Sequence, residues 1–269
     1  MDFKMKCIYT KKIILITSIL SFFNILFKII FSSDDEYFFL TKSIINLIFL
    51  VITYYFIKED HTFKIELVLK NNVLTITTSI LLIYLSVNHI NSEVFIKRIT
   101  INEWYHFSYF FQCLTTGFFE EFFCRLLLFG LICNSLKDYN YGNYYKEIVI
   151  TSLIFGLLHL TNLFNPDYDI ISVVNQIMFA FIIGVLLQCL LIRLKNIVLI
   201  SVLHGLINYN LMAKAKLFKT ENRAISPNQF IDFIESFKTF IVLGVIIFLF
   251  GYLLIKNRKM EIIILPKKL

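Results

Sequence analysis

Phe118-Phe119-Glu120-Glu121-Phe122-Phe123-Cys124-Arg125 places three ionisable groups inside a run, 107–133, that is otherwise almost wholly apolar. A run of that length crosses a bilayer as a helix. Each charge near the middle of a spanning helix costs about 2.5–3.5 kcal/mol on insertion scales. The default reading of such a group is a functional site with a partner nearby. Spacing supplies one partner: Glu121 and Arg125 are i and i+4 with the acid first, the favoured order for a helical ion pair. Glu120 is turned about 100° away on the helix and cannot share that partner equally. One carboxylate is neutralised in place, and the other is left over, a group of the kind that serves as general base or acid.

The rest of the chain agrees with a membrane setting. Mean hydropathy is +0.73, and only 17% of the 269 residues are charged, against about 25% in soluble domains. The fold class expected is all-α, a polytopic membrane bundle of about eight transmembrane helices with a four-helix catalytic core. The spans fall near 13–32, 37–57, 73–91, 105–133, 146–164, 170–193, 196–212 and 239–255, and Pro166, Pro227 and Pro266 lie outside them. Three sections follow: helices 1–3 in 1–104, the core helices 4–7 in 105–212, and a connecting segment with helix 8 in 213–269. The first apolar run has basic residues before it but no A-x-A-like site after it, so it reads as a retained span.

The net charge of +7 is read as topology and attraction to anionic lipid, not nucleic acid. With the N-terminus inside, most loop Lys and Arg fall on the inner side, and the acidic Ser33-Asp34-Asp35-Glu36 turn falls outside. Both termini are therefore expected in the cytoplasm; the basic 213–238 connection runs against the rule. The five cysteines form no C-x-x-C pattern and imply no disulfide framework.

Among the five histidines, His61, His89 and His106 sit in a polar loop or near helix ends. His159 and His204 lie within apolar runs, and Asn208 shares the face of His204 at i+4. A lone intramembrane histidine is more often a packing group than a catalyst. A left-over Glu, two His and an Asn on three separate helices are harder to dismiss, because a bundle gathers such groups in its core. H-E-x-x-H and G-x-S-x-G are absent, which removes the helical zinc-protease and nucleophile-elbow arrangements. What remains is a Glu base activating water with help from His, and a second His and an Asn donating to an oxyanion. Two His and one Glu also suit a zinc with an open position. Spacing leaves both alternatives open.

Glu120-Glu121-x-x-x-Arg125, Phe155-x-x-x-His159 and His204-x-x-x-Asn208 together resemble the three motifs of the CPBP family, the CAAX-protease and bacteriocin-processing intramembrane proteases, also called the abortive-infection family. The resemblance covers about 105–212. It implies that Glu120 activates water beside His159, that His204 and Asn208 stabilise the oxyanion, and that Glu121 and Arg125 support the arrangement. It leaves open how the glutamates divide labour, and whether a divalent metal such as zinc takes part. The function it implies is an intramembrane endopeptidase acting on a peptide or membrane-protein substrate, in the setting of pheromone or bacteriocin processing or self-immunity. The AT-biased composition, rich in Ile, Lys, Phe and Asn, suggests a bacterial cell membrane. Two other classes compete: a non-catalytic immunity or scaffold protein that grips a toxin or partner, and a transporter with Glu120 as proton relay. The transporter is disfavoured by the lack of paired interrupted spans.

Overall fold

The computed structural model describes residues 3–30, 37–59, 103–136, 144–165, 168–217 and 229–255. The expected span at 73–91, His61, His89 and the side chain of His106 lie outside the described residues. Those described are helical throughout, with no strand among them. In order they are α1 (Phe3–Ile30), α2 (Phe38–Glu59), α3 (Glu103–Glu121), a π-helical segment (Phe122–Leu128), α4 (Phe129–Leu136), α5 (Tyr145–Leu158), a 3₁₀ segment (His159–Phe164), α6 (Ile170–Leu194), α7 (Ile197–Leu217) and α8 (Gln229–Ile255).

Among the described residues, four helical stretches are long and apolar enough to cross a membrane: Phe38–Ile57, Tyr145–Phe164, Ile170–Leu194 and Phe237–Leu254. Their outward faces fit that solvent. On α8, Val242, Val245, Leu249 and Leu253 recur at helical spacing and are each more than half exposed. A soluble protein seldom shows such a stripe, and acyl chains cover it at no cost. This is an integral membrane protein of polytopic helical class.

Two expected spans are interrupted in a way hydropathy cannot register. The one at 105–133 changes to π geometry immediately after Glu121. The Phe129 N–H is then satisfied by the Cys124 carbonyl, five residues back. The one at 146–164 tightens at His159 into 3₁₀ geometry. π segments and mid-helix 3₁₀ stretches often mark functional positions.

α3 is the central element, packed between α2 and α7. α3 and α7 run antiparallel in direct backbone contact. A Cβ on Gly117 would stand 2.6 Å from Gly205 N and Ser201 O, and one on Gly205 would stand 2.9 Å from Leu114 Cα. No side chain fits at either position, and without a hydrophobic drive between lipid-embedded helices such close approach is how they hold together. α2 and α3 instead run in the same direction, 70 residues out of register. Phe39 meets Tyr109 with ring centroids 5.1 Å apart. Asn46 donates to Thr116 Oγ1 at 2.8 Å, and Phe49 meets Phe119 at 5.6 Å.

α5 and α6 are antiparallel, with Gly156 against the Ile177 carbonyl and Gly184 against Ser152. α8 lies on the far side of α6. Each end of the α6 region has its own cap. Asp169 Oδ1 accepts from Ser172 N at 2.6 Å, satisfying one free N–H of the first turn. Lys195, at φ 54°, closes the helix in left-handed conformation, and Asn196 Oδ1 accepts from Leu199 N at the start of α7. The main apolar core, with Leu128, Leu131, Leu187, Leu191 and Ile200 at its centre, lies beside the motif residues and holds their helices at fixed spacing.

Candidate active site

Glu120 and Glu121 are adjacent in sequence and differ in every other respect. Glu121 is fully buried. Its Oε2 accepts from Arg125 Nε at 2.9 Å. Its Oε1 accepts from Arg125 Nη2 at 3.3 Å and from His204 Nδ1 at 2.8 Å. Both oxygens are thus committed to a forked guanidinium pair and an imidazole, the arrangement that lets a buried carboxylate stay charged. Glu120 keeps 24% of its side-chain surface and has His204 Nε2 at 3.4 Å from Oε2, just beyond a good hydrogen bond. His204 is therefore clamped between two carboxylates contributed by one turn of the neighbouring helix. The approach of Gly117, one turn before the acid pair on α3, to Gly205, next to His204 on α7, sets the distance at which that clamp closes.

Phe155 is the apolar counterpart of this cluster. Its ring lies edge-on to His159, with centroids 5.1 Å apart, and edge-on to His204 at 5.9 Å. The Arg125 guanidinium carbon stands 5.2 Å from the same ring's centroid. Arg125 Nη1 has no hydrogen-bond partner among the described residues, so a cation–π contact is the compensation on that side. Phe155 thus fixes three motif side chains at once.

The 3₁₀ turn explains how His159 is oriented. Its own N–H turns to the Gly156 carbonyl three residues back. That releases the Phe155 carbonyl from its usual partner, and His159 Nδ1 takes it at 3.1 Å. A carbonyl only accepts, so Nδ1 carries the proton and, in the neutral ring, Nε2 is the acceptor.

Glu120, His159 and Asn208 all line one cavity of about 180 Å³ that runs between α1, α2, α3 and the 3₁₀ segment. That volume takes several waters. His204 does not line it and stands behind Glu120. The six motif residues are thus brought together, in two tiers: Glu120, His159 and Asn208 at the cavity, and Glu121, Arg125 and His204 in the protein behind it. Sequence reasoning missed the rest of the wall. Amides supply much of it (Asn46, Gln112, Asn162, Gln176), together with Lys42. Lys42 was visible as a charge four residues into an apolar span, the same signal that singled out Glu120. The amides carried no comparable signal.

Among the described residues no three of His, Cys, Asp and Glu converge closely enough to hold a metal ion. His204 holds Nδ1 on Glu121 and turns Nε2 to Glu120. Cys113, Cys124, Cys133 and Cys189 form no disulfide among the described residues.

Residues 102–210 match the family model described as Rce1-like, type II CAAX prenyl endopeptidase. No curated protein and no solved structure matches the chain.

Proposed function

We propose, on the match of residues 102–210 to the Rce1-like, type II CAAX prenyl endopeptidase model, that the protein is an intramembrane endopeptidase with Glu120 as its general base. The observation that carries the reading is the contrast between the two glutamates. Glu121 has no oxygen left for a substrate or water, whereas Glu120 opens on the cavity.

In this mechanism a cavity water, oriented by the lone pair of His159 Nε2, gives a proton to Glu120 as its oxygen attacks the scissile carbonyl carbon. The carbonyl π electrons move to oxygen, and Asn208 Nδ2 donates to the resulting oxyanion. Glu120 then passes its proton to the amide nitrogen, the C–N bond breaks, and the free amine and carboxylate leave. The resemblance assigns His204 to the oxyanion as well. Its position behind Glu120 favours a different part: His204 orients Glu120 and is itself oriented by Glu121. No step is routed through a metal. The amide-rich wall suits an extended peptide, whose backbone N–H and C=O groups need partners once removed from water.

The test is turnover of internally quenched apolar peptides by the full chain in nanodiscs. Glu120→Gln is expected to lower kcat about 10²–10⁴-fold, the usual worth of a general base, while the protein still inserts and binds peptide. Wild-type turnover in that variant would refute the assignment. Binding and protection that persist without any cleavage would transfer the site to a grip on a partner.

A further inference from the structure

Three buried polar atoms near the motif cluster have no hydrogen-bond partner among the described residues: Arg125 Nη1, Ser152 Oγ and Gln188 Oε1. Their residues are at most 1% exposed, so bulk solvent satisfies none of them. A buried polar group left unpaired is costly, the more so where the surroundings are lipid. The three come from separate elements: the π segment, α5 and α6. They are also complementary, being a charged N–H, a hydroxyl and a carbonyl oxygen.

Packing turns all three toward one place. A hydroxyl in a helix can be spent on the carbonyl four residues back. Thr151 does so, donating to the Glu147 carbonyl at 2.7 Å. Ser152 does not. Its Oγ faces α6, 3.2 Å from where a Cβ on Gly184 would stand, and Phe155 Cδ1 is 3.5 Å from the same point. The Phe155 ring meets the charge of Arg125 but leaves Nη1 without an acceptor. Gln188 is one turn beyond Gly184 on the same face of α6. Helical side chains lean toward the N-terminus, which carries its amide back toward Gly184. Arg125 also acts electrostatically on Cys189, the residue next to Gln188. Guanidinium, hydroxyl and amide thus gather about the α5–α6 glycine contact without bonding to one another.

Resting on the endopeptidase reading, we propose that these three side chains hold one buried water, and that Gln188 and Ser152 are positioning residues for the catalytic cluster. The water accepts from Arg125 Nη1, donates to Gln188 Oε1 and shares a third hydrogen bond with Ser152 Oγ. About three bonds to otherwise unpaired groups is the usual state of a buried water. Phe155 also lines the cavity, which can supply it. Arg125 is then fixed on both sides, with Nε and Nη2 on Glu121 and Nη1 on the water. Glu121 in turn holds His204, which faces Glu120. Gln188 therefore reaches the base through Arg125, Glu121 and His204, and touches no substrate.

Gln188→Met keeps the length and removes the acceptor, and Ser152→Ala removes the hydroxyl. In the full chain in nanodiscs each is expected to lower kcat about three- to tenfold with KM unchanged, below the 100-fold that a misplacement of about 1 Å can cost. Because both act through one water, the double variant should fall no further than the worse single one, whereas independent sites would multiply. Wild-type kcat in Gln188→Met, a multiplied loss in the double variant, or a lower Tm with kcat retained would each overturn the proposal. So would a rise in KM in place of the fall in kcat, which would put Gln188 on the substrate's path. A second readout needs no turnover and no variant. A wild-type structure fine enough to show ordered water should carry a density peak within hydrogen-bond distance of Arg125 Nη1, Ser152 Oγ and Gln188 Oε1. Empty density there overturns the site even if Gln188→Met fails to insert. A chain that cleaves nothing can hold the water, and one that cleaves can lack it, so the two readings fall separately.

Discussion

Gly117→Ala adds one methyl group at the tightest helix contact in the site. The new Cβ would stand 2.6 Å from Gly205 N and Ser201 O, both backbone atoms on α7 that cannot rotate out of the way. Ordinary contact begins near 3.4 Å, so α7 must retreat by about 0.8 Å. His204 travels with it. The Nδ1 to Glu121 distance of 2.8 Å then becomes about 3.6 Å, outside hydrogen-bond range. Losing a hydrogen bond to a charged group costs about 1.5–3 kcal/mol. Loss of alignment between Glu120 and its imidazole adds to this, since a displacement of about 1 Å can cost 10²-fold in rate. The expected result is a kcat lowered about 10- to 100-fold and a lower Tm in detergent. Quenched-peptide turnover and thermal unfolding on the same preparation measure both. Wild-type values for both would refute the claim that the glycine contact sets the clamp. A lower Tm with wild-type kcat would confine the contact to packing.

Glu121→Gln should damage both folding and turnover, because it leaves Arg125 and His204 facing a neutral amide within the protein; breaking a buried pair costs about 3–5 kcal/mol, read as lost Tm or lost membrane yield. Phe155→Leu keeps the volume roughly but removes the ring that touches Arg125, His159 and His204, and is expected to lower kcat with only a modest fall in Tm. Lys195→Gly relieves a left-handed residue at the end of α6 and should stabilise by up to about 1 kcal/mol, seen as a higher Tm with unchanged turnover; a lower Tm would contradict the conformation at φ 54°.

Hydropathy and spacing made the bundle legible, because a bilayer imposes length and apolarity directly on the chain. They also made the Glu121–Arg125 pair legible, since i and i+4 meet on any helix. The long-range contacts were not written locally. His204 binds Glu121 across 83 residues, and nothing near either residue announces the other. Gly117 and Gly205 look like ordinary helix glycines until the two backbones are seen to touch. The 3₁₀ turn at His159 was hidden because hydropathy is indifferent to whether a span is α or 3₁₀. Lys42 carried its signal openly, yet a lysine near a helix end also reads as a side chain reaching for the interface, and only the cavity separates the two.

The π segment holds one residue per turn more than an α-helix requires. Removal of a single residue from 126–128, past Arg125, would let the ladder close to the commoner register while α4 kept its phase against α1. Removal of one residue just upstream, within 117–119, would rotate the acid pair by about 100° relative to everything before it. Length variation in this domain should therefore be tolerated past Arg125 and forbidden before Glu120, with the stretch from Glu120 to Arg125 as the boundary.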